Sequence, residues 1–267
     1  MPMPLIAVNS LSFGYAPGSR ALENIFLEVE EKSTWAIIGK NGSGKSTLLK
    51  CLCGLLRSRA GAITIQGKPL GSFRPRELAH LIAFVPQAHN RLLPPFSVRD
   101  FVMLGRFPFQ GFFALPSGKD KTIVDAALQL TDTGALADRI LTTLSGGELQ
   151  RVFLASAVAQ KTAILLLDEP MAFLDPMHQE LIQRSIDRIH EEFSTTIIAV
   201  THDVNHALNR FTHVCALSLG APYYEGTCDN FKGSALRLLH DIYSIPFYEI
   251  RGHDNRHRYY LPESFLT

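Results

Sequence analysis

"GKNGSGKST", residues Gly39 to Thr47, matches the pattern G-x-x-x-x-G-K-[ST] and follows the apolar run Trp35-Ala36-Ile37-Ile38. Glycines at Gly39, Gly42 and Gly44 let backbone N–H groups converge on an anion without obstruction from Cβ atoms. The next segment, Thr47-Leu48-Leu49-Lys50-Cys51-Leu52 with Leu55-Leu56, has helical spacing. Its N-terminal amides and dipole are predicted to face the same anion. Asn41, Ser43 and Thr47 belong to the cradle, Lys45 reaches the β- and γ-phosphates, and the Ser46 hydroxyl is placed to ligate Mg²⁺. Chance gives the pattern in roughly one chain of this size in a hundred. The strand before it and the helix after it decide for phosphate binding over a simple turn.

Outward from the loop, strands are predicted at Leu5–Ser10, Ile25–Val29, Ala62–Gly67, Leu81–Val85, Ala163–Leu167, Thr196–Val200 and Val214–Leu219. An amphipathic helix is expected around Gln179–Glu191. Strands alternating with helices imply an α/β fold with a mostly parallel sheet. Between His89 and Gln160 the texture changes: Pro94-Pro95, a phenylalanine cluster (Phe96, Phe101, Phe107, Phe109, Phe112, Phe113) and a helical stretch at Ile123–Leu130 suggest an inserted helical subdomain.

The strand Ala163–Leu167 runs into Asp168-Glu169-Pro170. In phosphate-loop proteins a strand beside the loop presents an Asp to Mg²⁺, which assigns Asp168 that role. Glu169 is then placed to polarise an attacking water. A second glycine motif, Leu144-Ser145-Gly146-Gly147-Glu148-Leu149-Gln150, precedes the helical run Val152–Gln160. A capping box between Ser145 and Glu148 explains those two residues. It leaves the adjacent glycines unexplained, since each lowers helix stability by about 1 kcal/mol. Close approach of an anion to the helix N-terminus explains both.

Leu144–Glu148 reads LSGGE and resembles the signature of the ATP-binding cassette (ABC) family, whose other motifs follow in order over roughly residues 4 to 220. Tyr15 in "FGY" resembles the aromatic that stacks on adenine. Gln87 in "VPQ" resembles the glutamine that touches Mg²⁺ and the attacking water. Leu174-Asp175 matches the segment that crosses a dimer seam, and His202 in "VTHD" resembles the switch histidine on the γ-phosphate. Two positions depart from the pattern: Ala172 stands where the seam segment has serine, and Ser156 where the helix after the signature has arginine.

The resemblance implies a phosphate-loop NTPase (RecA-like) core with an antiparallel β subdomain and an inserted helical subdomain. The core would comprise residues 1–88 and 161–232, the helical subdomain 89–160, and a C-terminal extension 233–267. It implies an ATPase that uses Mg²⁺. It also implies a head-to-tail homodimer in which each ATP lies between Lys45 of one chain and Ser145–Gly147 of the other. Ser97–Gly111, "SVRDFVMLGRFPFQG", resembles ATPase subunits of importers for iron-siderophores, haem and vitamin B12. Expected partners are polytopic membrane permease subunits and, indirectly, a periplasmic substrate-binding protein, with the chain at the cytoplasmic face of the inner membrane. The rival is a soluble cassette ATPase, such as one serving iron–sulfur cluster assembly.

The bulk numbers agree with this reading. The chain has 267 residues, 46 % of them apolar, and a net charge of +1, which gives no basic excess for nucleic acid. No apolar run approaches a membrane span, and the N-terminus lacks a secretory pattern. The four cysteines are read as reduced. Most of the phenylalanines at 96–113 are expected in the subdomain's own core, the rest on a partner surface. "RGHDNRHRYY" is expected as a solvated hairpin, in preference to a metal site at His253, Asp254 and His257.

Overall fold

The computed structural model describes residues 3–58, 60–87, 93–110, 115–252 and 257–263. The chain forms two compact units, residues 1–72 with 198–267, and residues 73–197.

The first unit begins with β1 (Ile6–Phe13) and β2 (Leu22–Val29), then β3 (Thr34–Gly39), α1 (Lys45–Leu52), β4 (Ala60–Ile65) and β5 (Lys68–Pro69). Strands β2, β1, β4 and β5 form an antiparallel sheet in that order. Ile6, Val8 and Leu11 of β1 and Ile25, Leu27 and Val29 of β2 are buried, so one face closes on the core. This is the antiparallel β subdomain that the family resemblance implies.

The second unit contains α2 (Pro75–Ala79), β6 (Ile82–Val85), α3 (Val98–Met103), α4 (Gly118–Leu130), α5 (Gly146–Ala159), β7 (Ile164–Asp168) and α6 (Pro176–Phe193). Strands β6 and β7 pair in parallel from Ile82 opposite Ile164 to Val85 opposite Leu167. The helices carry their own core of Val98, Val102, Val124, Leu128, Leu141 and Val152. On α6, Ile182, Ile186 and Ile189 make the buried stripe, at the spacing an amphipathic helix requires.

At β8 (Thr196–Val200) the chain returns to the first unit, which it completes with α7 (Val204–Arg210), β9 (His213–Ser218), β10 (Ala221–Thr227), α8 (Cys228–Lys232), α9 (Ala235–Tyr243), β11 (Phe247–Arg251) and β12 (Arg258–Pro262). Strand β9 lies parallel to β3, with Trp35 opposite His213 and Gly39 opposite Leu217. Strand β10 is antiparallel to β9 and carries Pro222, a residue that edge strands tolerate. Strands β11 and β12 pair antiparallel as the expected hairpin requires, but Tyr260 of β12 is buried where a solvated hairpin would expose it; His253 and Asp254 lie outside the described residues. Cys51, Cys215 and Cys228 are buried free thiols, pushed up to about 11, 12 and 12 by burial.

Candidate functional site

In the first unit, β3 delivers the chain into the glycine loop and α1 leaves it. All six residues of β3 are buried, so the loop's entry is fixed by the core. Gly44 takes φ +96°, the left-handed region that glycine alone adopts freely, and a Cβ there would lie 2.5 Å from the Ala21 carbonyl. Gly39 has the same constraint against the Leu217 carbonyl of β9, at 2.3 Å. Gly44 is also the N-cap of α1, so the helix starts with no side-chain cap and no acidic residue in its first turn. Such a terminus favours an anion.

Lys45 is 5 % exposed and curls back over the loop, its Nζ donating to the Gly39 and Lys40 carbonyls at 2.9 Å each. Asn41 and Gly42 are exposed at the loop's tip. The Ser43 hydroxyl oxygen is buried and has no hydrogen-bond partner among the described residues. A buried hydroxyl without a partner costs about 1–3 kcal/mol, and a phosphate oxygen would remove that cost. Ser46 follows Lys45 on the first turn of α1. Tyr15 pairs its hydroxyl with Thr47 at 3.1 Å and sets its ring edge-on to Phe13, yet remains 64 % exposed. That leaves a ring face beside α1 open to a base. The His202 segment follows β8: Thr201 N–H donates to the Ile37 carbonyl, and Asp203 caps α7 by accepting from the His206 amide. His202 between them is exposed.

In the second unit, β7 buries Ile164–Leu167 and ends at Asp168, itself 5 % exposed. Glu169 turns out of the strand at φ +51°. For a non-glycine residue this conformation costs about 1–2 kcal/mol, and it is held by a hydrogen bond from Gln87 Nε2 to Glu169 Oε2 at 2.6 Å. Gln87, Glu169, Gly146, Gln150, Ala172 and Leu174 line a cavity of 110 Å³.

Ser145 caps α5: its Oγ accepts from the Glu148 amide, and the Glu148 carboxylate accepts from the Ser145 amide. The bond from the Ser145 amide, first, holds the Glu148 carboxyl below the usual carboxylate range. The two glycines separate physically. A Cβ on Gly147 would lie 2.2 Å from the His178 ring, whereas one on Gly146 would meet nothing within 4 Å. Packing therefore accounts for Gly147, and Gly146 is the glycine left facing open space. His178 is oriented by Asp175, the cap of α6, through its backbone amide and through Nδ1 at 2.7 Å. Sequence reasoning missed His178; its signal was the i, i+3 spacing of Asp175 and His178 across the Pro176 helix start. Gln150 was missed too. It is buried, lines the cavity, and its Nε2 has no partner among the described residues.

The phenylalanine cluster departs from expectation. Phe101 packs on the helical core and against Phe153, but Phe96, Phe107 and Phe109 are exposed; Phe112 and Phe113 lie outside the described residues. The turn at Phe107–Phe109 is held from beneath. Arg76 donates to the Pro108 and Gln110 carbonyls, His80 stacks on Phe109, and Arg106 lies 4.1 Å over the same ring. Arg106 is anchored in turn by Asp120 at 3.0 Å and the Ala159 carbonyl. The result presents Phe107, 72 % exposed, on a braced turn. Among the described residues no helix is long and apolar enough to cross a membrane.

Comparison with known proteins gives one consistent family. The sequence model of the ABC transporter family matches residues 22–172. The iron(3+)-hydroxamate import ATP-binding protein FhuC of Bacillus subtilis is 38 % identical over 227 residues, spanning 84 % of this chain and 83 % of that one. A chain of an ABC transporter assigned to the metal-chelate type, solved in an inward-facing conformation, superposes with a TM-score of 0.85 at 25 % identity, over 100 % of both chains. The cassette MJ0796, solved as a dimer in a post-hydrolysis state with ADP and Pi, gives a TM-score of 0.73 at 29 % identity, covering 84 % of this chain and 98 % of that one.

Proposed function

This chain belongs to the ABC transporter family and is an ATP-hydrolysing subunit; on that premise we propose that it is the motor of a bacterial importer for a metal chelate, an iron(III) chelate first among them. Its relatives include an iron(3+)-hydroxamate import protein and a transporter of metal-chelate type. The observation that carries nucleotide binding is the buried Ser43 hydroxyl without a partner, inside a glycine cradle on an uncapped helix.

The nucleotide's phosphates bind the amides of Gly39–Thr47, with Asn41 and Ser43 in the cradle and the Lys45 ammonium on the β- and γ-phosphates. Lys45 exchanges its two carbonyl acceptors for phosphate oxygens, so no buried ammonium is stranded in either state. The exposed Tyr15 ring stacks on the adenine. Ser46, Gln87 and Asp168 offer hydroxyl, amide and carboxylate oxygens, a hard donor set that suits Mg²⁺. When bound, the ion neutralises charge that develops on the phosphate oxygens. Glu169 accepts a proton from the attacking water, Gln87 holds the Glu169 carboxylate, and His202 donates to the γ-phosphate.

Two copies associate head to tail, and Ser145, Gly146 and Gly147 of one meet the phosphates held by the other, with Asp175 at the seam. Gly146 supports this reading because open space lies over it. Ala172 removes the seam serine's oxygen. Phe173, 84 % exposed, supplies apolar area that a partner copy covers. Loss of the γ-phosphate after hydrolysis removes the seam's main electrostatic attraction.

The helical segment 89–160 docks on polytopic permease subunits, with the braced Phe107 tip as anchor. That places the chain peripherally at the cytoplasmic face of the inner membrane, where the permease receives chelate from a periplasmic binding protein. The test is co-purification of the full chain with its membrane partner and ATP-dependent uptake of iron(III) chelates into vesicles. Recovery of a soluble scaffold, with no uptake, would defeat the importer reading.

A further inference from the structure

The C-terminal extension is not a passive tail. Two sets of contacts tie it to the two segments of the first unit that read the nucleotide's phosphates.

The first set reaches the phosphate loop. Helix α9 buries Ala235, Leu239 and Ile242 and ends at Ser244, which takes the left-handed conformation at φ +59° and donates its amide to the His240 carbonyl. That turn aims the Ser244 hydroxyl at the loop, where Lys40 Nζ donates to it at 2.8 Å. The neighbouring Tyr243 is half-buried, with its hydroxyl oxygen enclosed near the Gly39 amide and the Asp203 carboxylate, and burial pushes its phenol up to about 12. Gly39 and Lys40 are the residues whose carbonyls hold Lys45. The end of α9 therefore braces the part of the loop that positions the phosphate-binding lysine.

The second set reaches the His202 segment. Asn205 and Asn209 lie one turn apart on α7, which Asp203 caps. The Asn205 carboxamide donates to the Tyr260 carbonyl at 3.0 Å and accepts from the Tyr260 amide at 2.6 Å. Asn209 donates to the Arg258 carbonyl at 2.9 Å and accepts from the Arg258 amide at 3.4 Å. Alternate residues of β12 thus meet two side-chain amides that complete its hydrogen bonding as a neighbouring strand would. The Tyr260 ring is buried beneath them. A surface hairpin needs no such ladder to a helix; a hairpin that fixes α7 does.

We propose that the extension from α9 to β12 is a clamp that positions the phosphate loop and the His202–Asp203 segment relative to each other for ATP hydrolysis. The proposal rests on the roles given above to Lys45 and His202. Ser244, Asn205 and Asn209 are positioning residues, acting through the groups they hold.

The two arms have different kinetic signatures. Lys40 and Gly39 shape nucleotide binding, so loss of the Ser244 contact raises KM for ATP. His202 acts on the γ-phosphate during chemistry, so loosening α7 lowers kcat. Steady-state ATP turnover by the full chain with Mg²⁺ separates them. Ser244→Gly removes the hydroxyl and suits the left-handed backbone, so the fold is retained. It raises KM by about threefold. Ser244→Asn, which also tolerates that backbone and restores an acceptor, returns KM toward the parent value. Asn209→Ala lowers kcat roughly five- to tenfold with KM moving much less. If Ser244→Gly and a folded Asn209→Ala both keep the parent's KM and kcat, the clamp is refuted. If the parent itself neither binds nor hydrolyses ATP, the ATPase reading fails instead.

Discussion

Replacing Glu169 with glutamine isolates the proton-accepting step. The side chain keeps its length, and the left-handed backbone at φ +51° is as costly for glutamine as for glutamate. The amide oxygen can still accept the bond that Gln87 Nε2 now gives the carboxylate at 2.6 Å. Only the charge-assisted part of that bond is lost, about 1 kcal/mol, so the variant folds and binds ATP. Removing the base costs a factor of about 10²–10⁴ in the chemical step, equivalent to about 3–5 kcal/mol of barrier. Glu169→Gly is the counterpart. It relieves about 1–2 kcal/mol of left-handed strain, partly offset by backbone entropy, and is equally inactive. Single-turnover hydrolysis of radiolabelled ATP, with melting curves taken with and without nucleotide, reads both quantities. A Glu169→Gln chain that hydrolyses within twofold of the parent rate would refute the assignment of the base.

The signature glycines are expected to respond differently. Gly147→Ala meets the His178 ring and lowers stability by about 1–3 kcal/mol in a thermal melt. Gly146→Ala meets nothing, leaves the melt unchanged or slightly raised, and weakens ATP-dependent association measured by sedimentation. Phe107→Ala changes stability by less than about 0.5 kcal/mol but loses the permease in pull-downs, whereas Phe101→Ala, partly buried against the helical core, destabilises by about 1–3 kcal/mol. Asp120 is held below the usual carboxylate range by Ser117 first and then Arg106, and Glu148 by the Ser145 amide. A depressed carboxyl contributes stability that is present above its unfolded value, near pH 4, and is lost as pH falls through the folded value. Asp120→Asn should therefore lower the melting temperature at pH 7 and flatten its decline below about pH 4; an unchanged acid limb would show that the Arg106–Asp120 pair contributes nothing.

The phosphate loop and its flanking elements were legible because local chemistry dictates them. An apolar run makes a buried strand, three glycines permit the cradle, and the spacing of Leu48, Leu49 and Leu52 buries one face of α1. Helix α6 was legible for the same reason, through Ile182, Ile186 and Ile189. Strand β10 was missed because Pro222 and Gly226 interrupt it and none of its residues is buried, so it lacks the alternation that marks a strand. The reason for Gly147 was illegible because His178, which fills its side-chain space, is distant in sequence. Most of the phenylalanines at 96–113 read as core from composition; Phe101 does pack there, while the exposure of Phe107 and Phe109 goes with a turn that Arg76, His80 and Arg106 brace. The ladder from Asn205 and Asn209 to β12 had no sequence signal, since it joins side chains to a backbone some fifty positions away.

The claim on which the account turns is that ATP is held between two copies of this chain. Light scattering of Glu169→Gln with Mg²⁺, titrated with ATP, measures it most directly. The mass is expected to move from that of one chain, 29.6 kDa, to twice that value as ATP saturates, and Gly146→Ala in the same background should suppress the change. A mass that stays at one chain with ATP demonstrably bound would contradict the account.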